Sequence, residues 1–339
     1  MTAALPYDSP ALAWLQAAAR AADWFAARLG PGGRLPPDLH DLGSYYKWPL
    51  FLHALGRADL ARAVYDRCLA DFFTADGDFR SGQAKSADPI YSLIADSYTN
   101  TWLIAAARLY GQGEVGRLAL DCLRRRQVAR TGGFLTGRPG DHPEQRQDIV
   151  TIAGCGNAFL AWGELEPALQ AGDCLLRVLA SQQQAPDFCF YIDGEGRLLR
   201  HLDLPPRLLL LQPALPGQAY VYPGMTALFL ARLYLASGEA RFLAGAQGYF
   251  ALQERCGEAM YQGFGCCKTG WCAAVLARIT GDERYRRSVH RAAAAILAVQ
   301  HPTGEWPVAG ASAMLACDVT GEMGYHLTHY ALELAGGPR

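Results

Sequence analysis

Hydrophobic and polar positions follow a rhythm that repeats along the whole chain. An apolar segment leads into a Gly-containing turn, an amphipathic segment follows, and a loop then ends near an aromatic residue. The turns read LGRADL, YGQGEV, WGELEP, SGEARF and TGDERY. Glycine ends a helix by adopting the left-handed conformation, and an acidic residue suits the start of the next helix. The rhythm therefore predicts a series of helical hairpins.

The two helices of each hairpin differ in the placement of their apolar residues. In Ala58–Phe73, one face carries Leu60, Val64, Cys68 and Phe72, which is typical of a surface helix. The segments TNTWLIAAARLY and YPGMTALFLARLYLA are apolar nearly all round. We expect helices of this second kind to be buried on all sides.

Six helices of each kind can be placed. The buried helices are predicted to start near Gly43, Pro89, Asp148, Gln218, Cys266 and Ser312. The amphipathic helices are predicted at Ala11–Leu29, Ala58–Phe73, Glu114–Gln127, Leu165–Gln183, Glu239–Cys256 and Asp282–Gln300. The pattern resembles the (α/α)6 toroid, the six-hairpin barrel of several glycosidases, sugar epimerases and terpenoid cyclases. The resemblance implies an all-α fold, an (α/α)6 barrel that forms a single domain over residues 1–339. An open helical solenoid that binds protein is the alternative.

One insertion, residues 184–217, interrupts the rhythm. It contains FCFYIDGEGRLLRHL, in which an Asp-Gly turn follows a run of aromatic residues. This pattern predicts a short β-hairpin. We expect it to fold as a flap over one mouth of the barrel and to exclude water there.

The composition of the chain argues against several classes of binding partner. The net charge is −1 and no basic block occurs, so we expect neither nucleic acid nor an anionic membrane as a partner. No apolar run is long enough to span a membrane, and the N-terminal stretch does not resemble a signal peptide. The ten cysteines form no disulfide framework, which favours a cytoplasmic protein. No cofactor fingerprint is found, and GQGEVG joins two helices, so we expect no cofactor. The sequence carries no signal for an oligomeric state.

In such a barrel the inner helices all begin at one mouth, where their dipoles converge. The candidate catalytic residues there are Asp41, Tyr46, Asp96, Cys155, Asp318 and Glu322. The candidate substrate-binding residues are Tyr45, Lys47, Tyr91, Asn100, Tyr191, Tyr220, Tyr222, Lys268 and Trp271. Ring closure predicts that Asp318 and Glu322, one turn apart on one face, approach Asp41, Lys47 and Asp96. Carboxylates grouped in this way can act as general acid and base.

Each candidate also has a structural interpretation. Asp41, Asp148 and Asp318 can cap helices. The tyrosines and Trp271 can be packing residues, and Cys155 in AGCGNAF can be a core thiol. We expect a site role for Asp96 and Asn100, because an unpaired carboxylate inside an apolar helix is costly.

Short motifs resemble three families of this fold. The set of Asp, Tyr and Cys at an aromatic mouth resembles toroids of the terpenoid-cyclase and linalool dehydratase-isomerase type. HDLG resembles a motif of unsaturated glucuronyl hydrolases, which implies Asp41 as the acid. GWC at Gly270–Cys272, with Cys317 after it, resembles lanthipeptide cyclases, which bind zinc; the histidine of their motif is absent here, and we expect no metal.

The sugar 2-epimerases of the fold use paired histidines at the mouth. His53, His326 and His329 lie far from the predicted helix starts and have no evident partner, which argues against that resemblance.

These patterns predict a cofactor-independent cyclase, isomerase or dehydratase that acts on a largely apolar polyketide- or isoprenoid-like molecule in natural-product biosynthesis. One of Asp41, Asp96 or Asp318 would donate a proton, and a second carboxylate or Tyr46 would remove one. The alternative is a carbohydrate-active six-hairpin enzyme, glucuronyl hydrolase-like or epimerase-like, with Asp41 as the acid. The second alternative is a protein-binding helical scaffold.

Overall fold

A computed structural model describes residues 10–183 and 185–336, with the backbone alone for residues 93 and 94. Its α-helices are α1 Pro10–Ala26, α2 Leu42–Tyr45, α3 Trp48–Ala54, α4 Ala58–Phe72, α5 Pro89–Ile94, α6 Asp96–Leu109, α7 Gly113–Arg124, α8 Ile149–Ala161, α9 Leu165–Ala180, α10 Pro206–Leu209, α11 Val221–Ser237, α12 Ala240–Glu254, α13 Cys267–Thr280, α14 Glu283–Ala298 and α15 Ala313–Ala335. Short 3-10 helices lie at Pro31–Gly33, Gly257–Tyr261 and Phe264–Cys266. None of the helices described is both long and apolar enough to cross a membrane.

Six inner helices form a closed ring. Going round it, α3, α6, α8, α11, α13 and α15 each contact the next, and α15 returns to α3. Each inner helix also packs against one outer helix, in the pairs α3 with α4, α6 with α7, α8 with α9, α11 with α12, α13 with α14, and α15 with α1. The first outer helix thus covers the last inner one. The predicted (α/α)6 barrel is confirmed, because an open solenoid would leave α15 without α3 as a neighbour.

Small residues let the inner helices approach closely. A Cβ atom at Gly156 of α8 would overlap the ring of Phe229 on α11. A Cβ atom at Gly324 of α15 would overlap the ring of Phe51 on α3 in the same way. These glycines are therefore packing residues, since protein interiors leave no spare volume for an added methyl group.

Two of the predicted inner helices are not continuous, because each is interrupted shortly after its predicted start. The first is split into α2 and α3, and Pro49 in the first turn of α3 has no N–H to continue the hydrogen bonding of α2. The second begins at Asp96 rather than near Pro89, because Ala95 leaves the helical conformation with φ −138° and ψ 13°. Residues 89–94 instead form the separate helix α5, which carries Tyr91.

The insertion contains short strands, as predicted. Strand β1 Gln147–Asp148 pairs antiparallel with β3 Tyr191–Ile192, and β2 Phe188–Cys189 pairs antiparallel with β4 Leu210–Leu211. A bridge between Ile192 and Leu198 closes the predicted Asp-Gly turn, where Gly196 has φ +85°.

The insertion also contacts the first turns of two inner helices. The N–H of Ile149 in α8 donates to the carbonyl of Phe190, and the hydroxyls of Tyr191 and Tyr222, the latter in α11, are 3.2 Å apart. The part of the insertion that the structure describes therefore lies at the mouth where the inner helices begin. Gln184 lies outside the described residues.

Candidate active site

Two lysines and two carboxylates meet inside the mouth of the barrel; we call Lys47, Lys268, Asp318 and Glu322 the central cluster. Lys47 Nζ lies 2.7 Å from Asp318 Oδ1 and 2.8 Å from Glu322 Oε2. Lys268 Nζ pairs with the other oxygen of Glu322, Oε1. All four side chains are buried. Lys47 precedes α3, Lys268 lies in the first turn of α13, and the acids lie one turn apart on α15, so ring closure brings them together.

The two carboxyl groups of the central cluster have opposite pKa shifts. Burial and the nearby charge of Glu322 raise the pKa of Asp318, although Lys47 opposes the shift. Burial also acts against ionisation of Glu322, but Lys268 and Lys47 hold its pKa well below the usual range. Two carboxyls with opposite shifts are a common sign of acid and base roles. Asp318 is thus the group that more readily holds a proton.

Phenol groups surround Asp318. The Tyr91 hydroxyl of α5 donates to Asp318 Oδ2 over 2.8 Å. Burial, with the charge of Asp318, raises the pKa of both Tyr91 and Tyr46 well above the ordinary value. Both phenols therefore keep their protons and can donate hydrogen bonds. The Tyr98 hydroxyl, buried beside Lys268, has no hydrogen-bond partner among the described residues.

His326, which was not among the predicted site residues, extends the row of titratable groups along α15. Its Nε2 lies 3.5 Å from Glu322 Oε1, and neither ring nitrogen makes a hydrogen bond with a described residue. Burial lowers the pKa of His326 to about 4, so the ring is neutral at neutral pH. The available signal was its spacing: Asp318, Glu322 and His326 recur every four residues on one buried face.

Asp96 and Asn100 lie in a second buried cluster, which we call the Asp78 cluster: Asp78, Lys85, Asp96, Asn100 and Arg126. Lys85 Nζ lies 2.6 Å from Asp78 Oδ1 and 2.8 Å from Asn100 Oδ1. Arg126 pairs with Asp96 and lies 3.0 Å from Asp78. The structure therefore pairs Asp96 with Arg126 and not, as expected, with the central cluster, because Arg126 reaches inward from just beyond α7.

Asp41 holds the chain at the start of α2. Its carboxylate accepts hydrogen bonds from the N–H of Gly43 over 2.8 Å, the Ser86 hydroxyl over 2.6 Å and the N–H of Ala87 over 2.9 Å. The cap ties α2 to the segment that leads into α5. A role for Asp41 as an acid stays a prediction, and these contacts match the capping interpretation.

The remaining predicted binding residues are spread around the mouth. The Tyr45 ring turns towards the outer layer, where its hydroxyl lies 2.9 Å from His40 Nδ1 and its ring packs on Phe72. Tyr222 is paired with Tyr191, and the buried hydroxyl of Tyr220 has no partner among the described residues. Of this set, Lys47, Lys268 and Tyr91 are the ones in direct contact with the acids on α15.

Cys155 is fully buried in α8, and burial raises the pKa of its thiol far above the ordinary value. It is thus a protonated core thiol in this structure. Its predicted part in catalysis stays a prediction without a contact to the central cluster among those described. A buried thiol with a raised pKa is normally inert.

Cys267, Glu322 and His326 bring potential metal-ligand atoms within 4.8 Å of one another. Burial raises the pKa of the Cys267 thiol, which disfavours the thiolate that a metal needs. Two lysine ammonium groups already bind Glu322, and their charge opposes a further cation. The set therefore does not fit a metal ion. Cys272 and Cys317 belong to no such group among the described residues.

Comparison with known proteins supports the fold. No protein-family model matches the sequence, and no curated protein matches it. Among solved structures, a D-mannose isomerase matches with a TM-score of 0.69 at 13% identity, over 98% of this chain and 99% of that one. A cellobiose 2-epimerase from Spirochaeta thermophila DSM 6192 matches with a TM-score of 0.66 at 14% identity, over 96% of this chain and 99% of that one. An unsaturated glucuronyl hydrolase specific for heparin matches with a TM-score of 0.60 at 11% identity, over 96% of this chain and 97% of that one. At such low identity the likeness shows the shared toroid alone.

Proposed function

We propose that this chain is a carbohydrate-active isomerase or epimerase that moves a proton between carbon atoms of a sugar without a cofactor. The observation that carries the proposal is the row Asp318, Glu322 and His326 along α15, with two lysines bound to it. The structures that the chain resembles include a mannose isomerase and a cellobiose epimerase, which supports the same class. The apolar polyketide- or isoprenoid-like substrate predicted from the sequence has no such support.

The proton-transfer pair that we propose is His326 with Lys268. Both groups approach the same oxygen, Oε1 of Glu322, so they lie within reach of two adjacent atoms of one substrate. The neutral His326 ring can accept a proton. Lys268 stays protonated, because Glu322 outweighs the burial that would lower its pKa. A base and a cation held by one carboxylate are the groups that proton abstraction beside a carbonyl requires.

The reaction begins with the open-chain sugar, whose carbonyl oxygen accepts a hydrogen bond from the Lys268 ammonium. His326 takes the proton from the neighbouring carbon, and the electron pair moves to give an enediolate, whose negative oxygen Lys268 stabilises. Return of the proton to the former carbonyl carbon, with passage of the neighbouring hydroxyl proton to the former carbonyl oxygen, gives the isomer. Return to the original carbon on its other face gives the epimer. No oxidant, reductant or metal is needed.

The other members of the site suit a polyhydroxylated substrate. Asp318, Tyr91 and Lys47 provide an acceptor and two donors near the outer end of the row, where sugar hydroxyls would replace their mutual contacts. Glu322 is a positioning residue in this scheme, since it binds Lys268 and its Oε1 lies 3.5 Å from His326 Nε2. Tyr91 covers Asp318 from α5, so α5 would have to move for a substrate to enter.

A thermal-shift screen tests the class of substrate. Aldoses, ketoses, disaccharides and unsaturated uronides would be compared with isoprenoid alcohols and polyene acids. We expect stabilisation by sugars, and a loss of that stabilisation in Glu322→Gln. Glu114→Gln is the matched control, because Glu114 is exposed on α7. Stabilisation by the isoprenoid set alone would contradict the proposal, and stabilisation by unsaturated uronides alone would favour a hydrolase.

A further inference from the structure

A cavity lies inside the barrel towards the end where the inner helices finish. Its free volume is about 90 Å³, and its walls include Trp102, Asn157, Met225, Arg232, Trp271 and Tyr325. It also touches Ala161, the last residue of α8, and Arg232 lies in the second half of α11. The cavity therefore extends from the middle of the inner helices towards their ends.

Arg232 brings a positive charge to this cavity without a carboxylate partner. Its guanidinium lies 4.3 Å from the centre of the Trp271 ring, and no ion pair or hydrogen bond joins it to another described residue. Glu333, whose charge acts on Arg232, is paired with Arg278 over 2.9 Å. A half-buried guanidinium of this kind keeps its charge and all its donors available.

Two further donors at the cavity are also unused. Trp271 is 3% exposed, and its indole N–H has no acceptor among the described residues. The buried side-chain NH2 group of Asn157 has no acceptor there either. Buried donors are normally paired, so three unpaired donors around one cavity indicate a missing acceptor. Apart from Thr101, the remaining wall is apolar and aromatic and includes Trp102, Met225 and Tyr325.

We propose that this cavity binds a small carboxylate with a short apolar end. Arg232 would hold the carboxylate with two parallel hydrogen bonds, and Asn157 and Trp271 would donate to its oxygens. The apolar end would pack between Trp102, Met225 and Tyr325. The volume suits a ligand of a few heavy atoms, since a cavity of about 150 Å³ accommodates benzene.

The site differs from the central cluster in its charge. Lys47 and Lys268 are already neutralised by Asp318 and Glu322, so an added anion gains little from them. Arg232 has no such partner. The inference therefore does not depend on the proposed sugar chemistry, and either can fail alone.

Binding of propionate to the intact chain tests the inference, with calorimetric titration as the readout and 1-propanol as the uncharged comparison. We expect saturable millimolar binding of propionate and none of 1-propanol. Arg232→Gln should weaken propionate binding by about tenfold or more, as expected for loss of a charge-assisted hydrogen bond. Trp271→Phe keeps an aromatic ring near the guanidinium but removes the N–H together with the rest of the five-membered ring, so a several-fold loss is expected.

The controls separate this cavity from the lysines and from unspecific charge effects. Arg117→Gln, an exposed arginine on α7, should bind propionate like the unaltered chain. Lys268→Gln should also keep the binding, provided that its melting curve shows a folded protein. The absence of saturable binding to the unaltered chain would overturn the inference. Unchanged binding in Arg232→Gln, or its loss in a folded Lys268→Gln, would overturn it as well.

Discussion

Asp318 and Glu322 show how position decides the chemistry of two similar side chains. They lie one turn apart on α15, yet burial raises the pKa of Asp318 while Lys268 and Lys47 lower that of Glu322. Each carboxylate oxygen of Glu322 is paired with one lysine ammonium group. Asp318 shares Lys47 with Glu322 and accepts a hydrogen bond from the Tyr91 hydroxyl. The difference follows from the partners that the neighbouring helices supply.

Asp318→Asn should reduce turnover of the sugar by about tenfold or more, because it removes the carboxyl acceptor proposed for the sugar hydroxyls. Folding should be preserved, since Lys47 keeps Glu322 as its partner. Steady-state rates with melting curves test this expectation. Asp59→Asn, an exposed change on α4, is the matched control. Near-normal turnover in Asp318→Asn would remove Asp318 from the mechanism.

His326 should make the protein less stable in acid. Its folded pKa of about 4 lies below the ordinary 6.5, so between these values the unfolded chain binds more protons and stability falls as pH falls. Glu322, Lys268, Lys47 and the buried His329 act on the same ring. The shift corresponds to roughly 2 kcal/mol of unfolding free energy between about pH 7.5 and about pH 5.

Urea unfolding of the unaltered chain and of His326→Asn, at about pH 7.5 and about pH 5, measures the contribution of His326 to the free energy of unfolding. The difference between the two proteins in free energy of unfolding should shrink in acid, because asparagine does not titrate. A difference that does not change with pH would show that folding leaves the pKa of His326 unshifted.

At the residue level, part of the site could be predicted from the sequence. The contact of Lys47 with Asp318 and Glu322 was predicted from ring closure. The chain has three lysines, and each of them lies in a buried ion cluster. The partner of Asp96 could not be foreseen, because Arg126 lies outside the inner helices. His326 was set aside because only helix starts were considered, although its side chain reaches back towards them.

The helices α3 and α15 depend on a close approach at Gly324. Gly324→Ala should lower the free energy of unfolding by about 1–3 kcal/mol, because the added methyl group would overlap the Phe51 ring. Gly113→Ala is the control: its Cβ meets nothing within 4 Å, so neutrality or a gain of up to about 1 kcal/mol is expected. Chemical denaturation measures both. Equal effects of the two changes would contradict this view of the interface.

The Asp78 cluster joins the start of α6 to the loops on either side of it. Lys85→Met should cost about 3–5 kcal/mol of stability, because it leaves Asp78 with one fewer cation in a buried site. Turnover per folded molecule should be retained. Arg62→Met, which breaks an exposed pair with Asp66, should cost less than about 0.5 kcal/mol. A stable but inactive Lys85→Met protein would instead place this cluster in the reaction.

Among the elements, the amphipathic helices were the most predictable. The predicted Ala58–Phe73 and the observed Ala58–Phe72 differ by one residue, since a surface helix shows its apolar stripe in the sequence. The breaks at Ala95 and near Lys47 were missed, because a fully buried helix has no stripe whose phase would reveal an interruption.

The whole molecule is a ring in which the first and last helices meet. The packing of α1 on α15 and of α15 on α3 brings Asp318 and Glu322 to Lys47, although the chain separates them by more than 270 residues. The periodicity of the repeat predicted this closure. It could not predict the substrate, because the toroid is shared by isomerases, epimerases and hydrolases.

Solvent deuterium in a sugar product is the most direct test of the proposed proton transfer. The protein would be incubated in D2O with the sugar that stabilises it most, and proton NMR would follow the carbon next to the carbonyl. We expect isomer or epimer to appear with deuterium at that carbon, and both to be lost in His326→Asn but kept in Glu114→Gln. If no sugar exchanges a carbon-bound proton, or if folded His326→Asn exchanges it at the normal rate, the proposed proton transfer through His326 is wrong.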